Sequence, residues 1–127
     1  MSSSPHTGTR DYEAMRNLDW SPAEKAVARK AFNQALHSEL EGVMVEAKKR
    51  AERIQQPSDL WDLERYLTER RTQTDRQFDY RYSLLISLFG NLIQRAKLNV
   101  SELQGLSEDK LDAIRRYASF EFSIGSQ

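Results

Sequence analysis

One uninterrupted helical pattern, between Ser21 and Pro57, is the feature that most limits how this chain can fold. In "DWSPAEK", Ser21 can cap a helix, Pro22 suits the first helical position, and Glu24 completes a capping box. At 1.5 Å per residue the helix would be roughly 50 Å long. Its apolar stripe therefore needs a second long helix, from the same chain or another one. The stripe is formed by Ala28, Phe32, Leu36, Leu40, Val43, Ala47, Ala51 and Ile54.

A second helical pattern follows Pro57, with Ser58 as its predicted cap, and meets no glycine or proline before Gly90. Arg71 interrupts the face of this pattern that is otherwise apolar. Two explanations are open. Either the helix breaks or rotates near residues 72–74, where helix propensity is weak, and exposes Arg71, or Arg71 is a polar residue that fixes register or grips a partner at an interface. The apolar stripe is Leu60, Leu63, Leu67, Phe78, Tyr82, Leu85, Phe89, Leu92 and Ala96.

The last pattern, "GLSEDKLDAIRRYASF", predicts a short helix after a stop at Gly105. Ser107 is placed as its cap, and Leu106 and Leu111 are spaced for a hydrophobic staple. The whole chain has only five glycines and three prolines, which is too few for a protein with many strands and turns. We therefore predict an all-α protein.

Composition excludes several classes of function. Nineteen basic and nineteen acidic residues cancel, so no global field draws the chain to nucleic acid or anionic lipid. Cysteine is absent, which removes disulfides and thiolate chemistry and fits a cytoplasmic location. No segment approaches the roughly 18 consecutive apolar residues of a membrane span. Residues 1–18 are predicted to be a disordered polar tail, 19–120 a single helical domain, and 121–127 a C-terminal tail.

Catalytic and metal-binding patterns are missing from the sequence. His37 and Glu41 lie one helical turn apart, but Gln34 stands where a di-iron site would need a glutamate, and no second helical histidine exists. Phosphate-binding glycine motifs are absent. We predict a protein without enzymatic activity, metal or cofactor. A DNA-binding role is the weakest alternative, because the last helix begins with acidic residues where a recognition helix contacts bases.

The remaining class of function is binding to another protein. We expect the binding surface at the start of the second helical pattern. Trp61 lies one residue away from the leucine stripe, so it is either a core residue or an exposed anchor for a partner. A single helical face, tilted from the leucine stripe, carries Trp61, Glu64, Arg65, Thr68 and Arg71.

The stretch "FDYRYSLLISLFG", residues 78–90, changes from aromatic and charged to apolar. Its second half reads as helix core. Tyr80 and Tyr82 would lie on different faces of a helix, so at most one is expected in the core, and the other is free to contact a partner.

Four blocks, in this order and at this spacing, resemble the fluorescence recovery protein family. They are "DWSPAEKAVARKAFNQALHSELEGV", "DLWDLERYLTERR", "FDYRYSLLISLFGNLI" and "GLSEDKLDAI". The resemblance implies long antiparallel helices with a small helical head, assembled as a homodimer. It also implies binding to the photoactivated orange carotenoid protein of cyanobacteria, chiefly through that protein's C-terminal domain. Such binding speeds the return from the red to the orange state and ends photoprotective quenching at the phycobilisome, with no cofactor.

The resemblance assigns roles to particular residues of this chain. Trp61 aligns with a tryptophan at the family's dimer interface and partner surface, and Arg71 aligns with the arginine on which activity depends. One departure is Arg65, which stands where the family has an acidic residue that helps to pair the arginine across the dimer. Glu64 and Glu69 are the acids left nearby.

The leading prediction is therefore a non-enzymatic regulator of the orange carotenoid protein. The alternative is a helical adaptor or scaffold of the same family that acts on a different bacterial partner. In both cases seven apolar residues should be buried, within the chain or across a dimer. They are Phe32, Leu36, Leu40, Leu63, Leu67, Leu85 and Phe89.

Overall fold

Four α-helices make up the structure, a computed structural model that describes residues 19–125, with side chains through residue 119. They are α1 (Pro22–Glu52), α2 (Pro57–Gln77), α3 (Tyr82–Gln94) and α4 (Glu108–Gly125), with a 3-10 turn at Val100–Leu103. Between residues 19 and 125 no β-strand forms, and the all-α prediction is confirmed. The tail predicted for residues 1–18 lies outside the described residues.

The start of α1 is the predicted capping box. The backbone N–H of Ser21 donates to Oε1 of Glu24 (3.0 Å), and the N–H of Glu24 donates to Oγ of Ser21 (3.1 Å). Each side chain thus satisfies a backbone donor that the first helical turn would otherwise leave unpaired.

The start of α2 differs from the prediction, because the cap is Gln56 and not Ser58. The Asp59 carboxylate accepts hydrogen bonds from the backbone N–H groups of Gln55 (3.0 Å) and Gln56 (3.2 Å). Pro57 then takes the first helical position, where its missing N–H costs nothing. The cap therefore lies two residues before the predicted one, and the helix begins at Pro57.

The second helical pattern is broken into two helices, but not at residues 72–74. There α2 continues without interruption. The Thr72 hydroxyl donates to the Thr68 carbonyl (3.1 Å), and Thr74 is buried. The break lies at residues 78–81, where Arg81 is extended (φ −127°, ψ 133°) before α3 begins. Arg71 consequently lies inside a continuous helix.

The chain divides into two compact units. The terminal unit comprises, of the described residues, 19–32 and 80–125, and the central unit is Asn33–Asp79. Helix α1 contributes residues to both units, whereas α2 belongs to the central unit and α3 and α4 to the terminal unit.

The core of the terminal unit lies between α3 and α4. Gly90 permits the close approach, because a Cβ at this position would lie 2.8 Å from Cδ1 of Tyr117. The side chains that are most completely buried come from α3, α4 and the 3-10 turn. They are Phe89, Leu85, Leu92, Leu103 and Ile114.

The start of α4 follows the predicted stop and cap. Gly105 has φ +114°, which favours glycine, and the backbone N–H of Lys110 donates to Oγ of Ser107 (3.3 Å). Leu106 and Leu111, the predicted staple, are both buried.

Glu24 connects the starts of α1 and α4. Besides its bond from Ser21, its carboxylate accepts the backbone N–H of Ser107 (2.8 Å) and the ammonium of Lys110 (3.2 Å to each oxygen). Lys110 also donates to the carbonyl of Asp19 (2.9 Å). Burial by itself would raise the pKa of Glu24, but the hydrogen bonds from Ser21, Ser107 and Lys110, with the Lys110 charge, lower it below the ordinary value.

The central unit is held by contacts between α1 and α2. Arg70 forms an ion pair with Glu39, and the guanidinium of Arg50 lies 4.2 Å from the centre of the Tyr66 ring. A later residue of α1 meets an earlier residue of α2, so the two segments run antiparallel. Only Ala35 and Thr74 are buried within Asn33–Asp79.

We predict that Ala96→Gly stabilises the protein. Helix α3 ends in a Schellman motif, in which Lys97 N–H bonds the Leu92 carbonyl (2.7 Å) and Ala96 N–H bonds the Ile93 carbonyl (2.9 Å). Ala96 has φ +60°, which costs a residue with a Cβ about 1 kcal/mol. Chemical denaturation should show a gain of that size for Ala96→Gly. The control Ala26→Gly, in the exposed interior of α1, should lose about 1 kcal/mol. Equal losses in both variants would contradict the cost assigned to the positive φ of Ala96.

We predict that Glu24→Gln strongly destabilises the terminal unit and reduces its acid sensitivity. The variant leaves buried Lys110 without a counter-charge, which costs about 3 kcal/mol. Because the native pKa of Glu24 is lowered, its ionisation stabilises the fold above the ordinary value of 4.5, and this stability is lost as the pH falls through the native pKa.

Urea melts of the wild type and Glu24→Gln from pH 7 to pH 3 measure both effects. The stability of the wild type should fall more steeply than that of the variant in the acid range. Parallel curves would show that Glu24 does not carry this part of the acid response. Lys110→Met, combined with Glu24→Gln, should recover part of the lost stability because no unpaired buried charge remains.

Candidate functional site

Helix α2 presents the predicted partner face to solvent. Trp61 is 60% exposed, and it is therefore a surface residue of this chain and not a core tryptophan. The capping box at Gln56 and Asp59 fixes the first turn, so Trp61 lies in the second turn of a well-anchored helix. The five residues predicted to share this face are all exposed. They are Trp61, Glu64, Arg65, Thr68 and Arg71.

The polar residues of this face bond within their own helix. Thr68 Oγ1 donates to Oε2 of Glu64 (3.1 Å), and Nη1 of Arg65 donates to Oδ1 of Asp62 (3.2 Å). Arg65 is therefore paired with an acid three residues earlier in the same helix. Such exposed pairs contribute little to stability and leave the side chains available for a partner.

Arg71 is the least constrained charge on the face. Its side chain is 86% exposed, and Nε lies 3.9 Å from Oδ2 of Asp75, at the outer limit of an ion pair. The neighbouring Arg70 is the opposite case, since its side chain is 27% exposed and pairs with Glu39 of α1. Of two consecutive arginines, one holds α2 to α1 and the other is open to a partner.

Exposed apolar side chains are concentrated in the same central unit. Leu60 and Leu67 of α2 are 47% and 40% exposed, and Leu40, Met44 and Val45 of α1 are 44% to 56% exposed. Apolar residues at helical spacing that remain uncovered are typical of a surface that meets another protein.

The seven predicted core residues divide according to their unit. Phe32, Leu85 and Phe89 are buried within the chain. Leu36 and Leu63 are half-buried, and Leu40 and Leu67 are exposed. Burial of the last two across a dimer stays a prediction.

An aromatic cluster in the terminal unit was missed from the sequence. Tyr80 packs against Tyr82 (ring centres 5.4 Å apart) and edge-on against Phe32 (4.8 Å), and Tyr82 packs against Trp20 (5.5 Å). The assignment of the two tyrosines to different faces was wrong, because Tyr80 and Arg81 lie outside any helix and helical spacing does not apply there. Burial, together with the adjacent Tyr82, raises the pKa of Tyr80 to about 12.

Two cations of α1 lie on these tyrosines. The guanidinium carbon of Arg29 lies 3.6 Å from the centre of the Tyr80 ring, and Nζ of Lys25 lies 5.3 Å from that of Tyr82. The four-residue spacing of Lys25 and Arg29 in the sequence indicates that they share one face of a helix. It does not indicate which aromatic rings they contact.

No candidate metal centre is found among residues 19–125, where no three potential ligands come together. His37 and Glu41 form an exposed pair (3.3 Å) on α1. None of the helices in the described part of the chain is long and apolar enough to cross a membrane.

The comparisons with known proteins agree on one family. The model of the family described as "Photoprotection regulator fluorescence recovery protein" matches residues 20–118. The chain belongs to the fluorescence recovery protein family. It is 33% identical over 99 residues to the fluorescence recovery protein of Synechocystis sp. PCC 6803, a match that covers 78% of this chain and 91% of that protein.

Solved structures of fluorescence recovery proteins share the fold. That of Fremyella diplosiphon is similar with a TM-score of 0.73 and 34% identity, covering 80% of this chain and 99% of the other. That of Synechocystis sp. PCC 6803 gives a TM-score of 0.73 and 33% identity with the same coverage. Membership in the family supports a role as a photoprotection regulator that works with a protein partner.

We predict that Arg71→Gln and Arg70→Gln differ sharply in stability although the residues are adjacent. Arg71→Gln should change the free energy of unfolding by less than about 0.5 kcal/mol, because its exposed pair with Asp75 contributes little. Arg70→Gln should cost about 1 kcal/mol, since it removes the ion pair with the largely covered Glu39 carboxylate. Thermal melts by circular dichroism compare the two, and a larger loss for Arg71→Gln would contradict this picture.

Proposed function

We propose that this chain is a cytoplasmic, non-enzymatic regulator that binds the photoactivated orange carotenoid protein through that protein's C-terminal domain. It accelerates the return from the red to the orange state and so ends quenching at the phycobilisome. The observation that carries the proposal is the exposed α2 face with Trp61 and Arg71, in a chain that belongs to the fluorescence recovery protein family. Tryptophan and arginine are the residue types most enriched at binding hot spots.

The mechanism is a difference in binding free energy between conformations of the partner. To speed reversion, the chain must bind the conformation at the barrier more tightly than it binds the red state, and each tenfold acceleration needs about 1.4 kcal/mol of that difference. Arg71 suits this role because its side chain is 86% exposed and its ion pair with Asp75 is long (3.9 Å), so it can pair with a group that the partner presents on the way back to orange.

Assembly as a homodimer forms part of the proposal. The exposed Leu40 and Leu67 lie in the central unit, and burial across two copies would remove this apolar surface from water. About 25 cal/mol is gained for each Å² of apolar surface covered. The dimer would then be stabilised by the same side chains that the isolated chain leaves uncovered.

A second candidate function is that of a helical adaptor for a different bacterial partner. Arg65 favours it, because an arginine paired with Asp62 occupies the position of the acid that the family uses beside its essential arginine. A surface with this changed charge would match a different set of partner charges.

The decay of photoactivated carotenoid protein tests the proposed function. The wild-type chain should accelerate the red-to-orange decay and co-elute with the photoactivated protein in size-exclusion chromatography. Arg71→Leu should abolish the acceleration with an unchanged helical signal, because it removes an exposed charge and no core contact. Retained acceleration in Arg71→Leu would contradict the role given to that residue.

The matched control is Arg53→Leu, an exposed arginine outside the α2 face, which should accelerate as the wild type does. An unchanged decay with the wild-type chain and no complex would overturn the proposal and favour the adaptor. Sedimentation of the same samples should show a dimer, and Leu67→Asp should shift it to monomer, because a charge there cannot be buried without a partner.

A further inference from the structure

A pair of cations on α1 lies at the surface of the terminal unit and is not part of the α2 face. Lys25 lies on the ring of Tyr82, and Arg29 lies on the ring of Tyr80. Both cations are exposed residues. Neither has a carboxylate within ion-pair distance among residues 19–119, and each is attracted to the face of its ring by a cation–π interaction.

Some of the other cations in the described residues are bound differently. Several have a carboxylate within ion-pair distance and are therefore neutralised by the chain itself. They are Arg50, Arg65, Arg70, Lys110 and Arg115. The pair of Lys25 and Arg29 thus retains its capacity to bind an anion.

The rings beneath the pair are themselves fixed. Tyr80 is half-buried, edge-on to Phe32 and against Tyr82, and Tyr82 packs on Trp20, which is 6% exposed. A guanidinium stacked on a fixed ring loses less freedom when it binds than one on an unsupported side chain does. Its N–H groups lie in the guanidinium plane and stay available for a carboxylate.

From this geometry we infer that Lys25 and Arg29 form a docking site for an acidic segment of a protein partner that presents two carboxylates about one helical turn apart. The planar fork of Arg29 matches one carboxylate bidentately, and Lys25, one turn earlier on α1, takes the second as a point charge. Side chains four residues apart on a helix are roughly 5–6 Å apart at their Cβ atoms, which sets the spacing of the two carboxylates.

A protein segment fits the site better than nucleic acid does. Two cations neutralise at most two phosphates, which provides little of the affinity that a phosphate backbone normally contributes. The whole chain also carries no net charge that would hold a nucleic acid in place.

A helical peptide tests the docking site on the full chain. An alanine-based peptide with two glutamates four residues apart should shift the Arg29 side-chain Nε–H resonance and the ring resonances of Tyr80 and Tyr82 at 0.15 M salt. The same peptide with glutamines should not. Arg29→Lys, which keeps the charge and loses the fork, should weaken binding roughly fivefold or more.

The control variant is Lys30→Gln, which removes the adjacent exposed cation that meets no ring among the described residues. It should bind the peptide within about twofold of the wild type, because successive residues of a helix point about 100° apart around its axis and Lys30 therefore does not share the direction of Lys25 and Arg29. Equal weakening by Arg29→Lys and Lys30→Gln would overturn the proposal, as would equal shifts with the glutamine peptide. A single-stranded oligonucleotide that shifts the same resonances at a lower concentration than the peptide would assign the site to nucleic acid instead.

Discussion

The carboxylate of Glu24 is the interaction on which the terminal unit depends. It accepts the backbone N–H groups of Ser21 and Ser107, which are the caps of α1 and α4, and it pairs with Lys110. Burial opposes the charge, but three donors together keep it ionised. Because the same group completes two helix starts, the position of α4 relative to the first turns of α1 follows from a single side chain. The Nζ atom of Lys110 also lies 5.1 Å from the centre of the Trp20 ring.

The central unit differs from the terminal unit, because almost none of its side chains are buried within the chain. Ala35 and Thr74 are its only buried residues, while Leu40, Leu67 and Trp61 remain exposed. Helices gain most of their stability from tertiary packing of an apolar face, so two helices with their leucines uncovered are suited to meeting another molecule. Trp61 and Arg71 of the proposed partner face lie in the same unit, so the uncovered apolar side chains and the proposed partner face belong to one pair of helices.

Residues 78–81 show how tertiary contacts override a local pattern. Helical spacing in the sequence continues from α2 into α3 without a glycine or proline, yet the chain leaves the helix there. In this non-helical segment Tyr80 lies against Phe32 and beneath Arg29. Thr72 and Thr74, the residues of weakest helix propensity, stay helical. The break between the two helices thus coincides with the packing of the aromatic rings, and not with the residues of weakest helix propensity.

Sequence patterns alone were enough to predict the helical class, the starts of α1 and α4 and the stop at Gly105. These features depend on residues within three or four positions of each other, and such interactions are visible in a linear pattern. The long-range contacts of Glu24 with Ser107 and Lys110, 83 and 86 residues away, are visible only in the folded structure. The same holds for the pairing of Arg70 with Glu39 and for the exposure of Arg71. The physical reason is that burial and charge pairing depend on which distant segments meet, and periodicity carries no information about that.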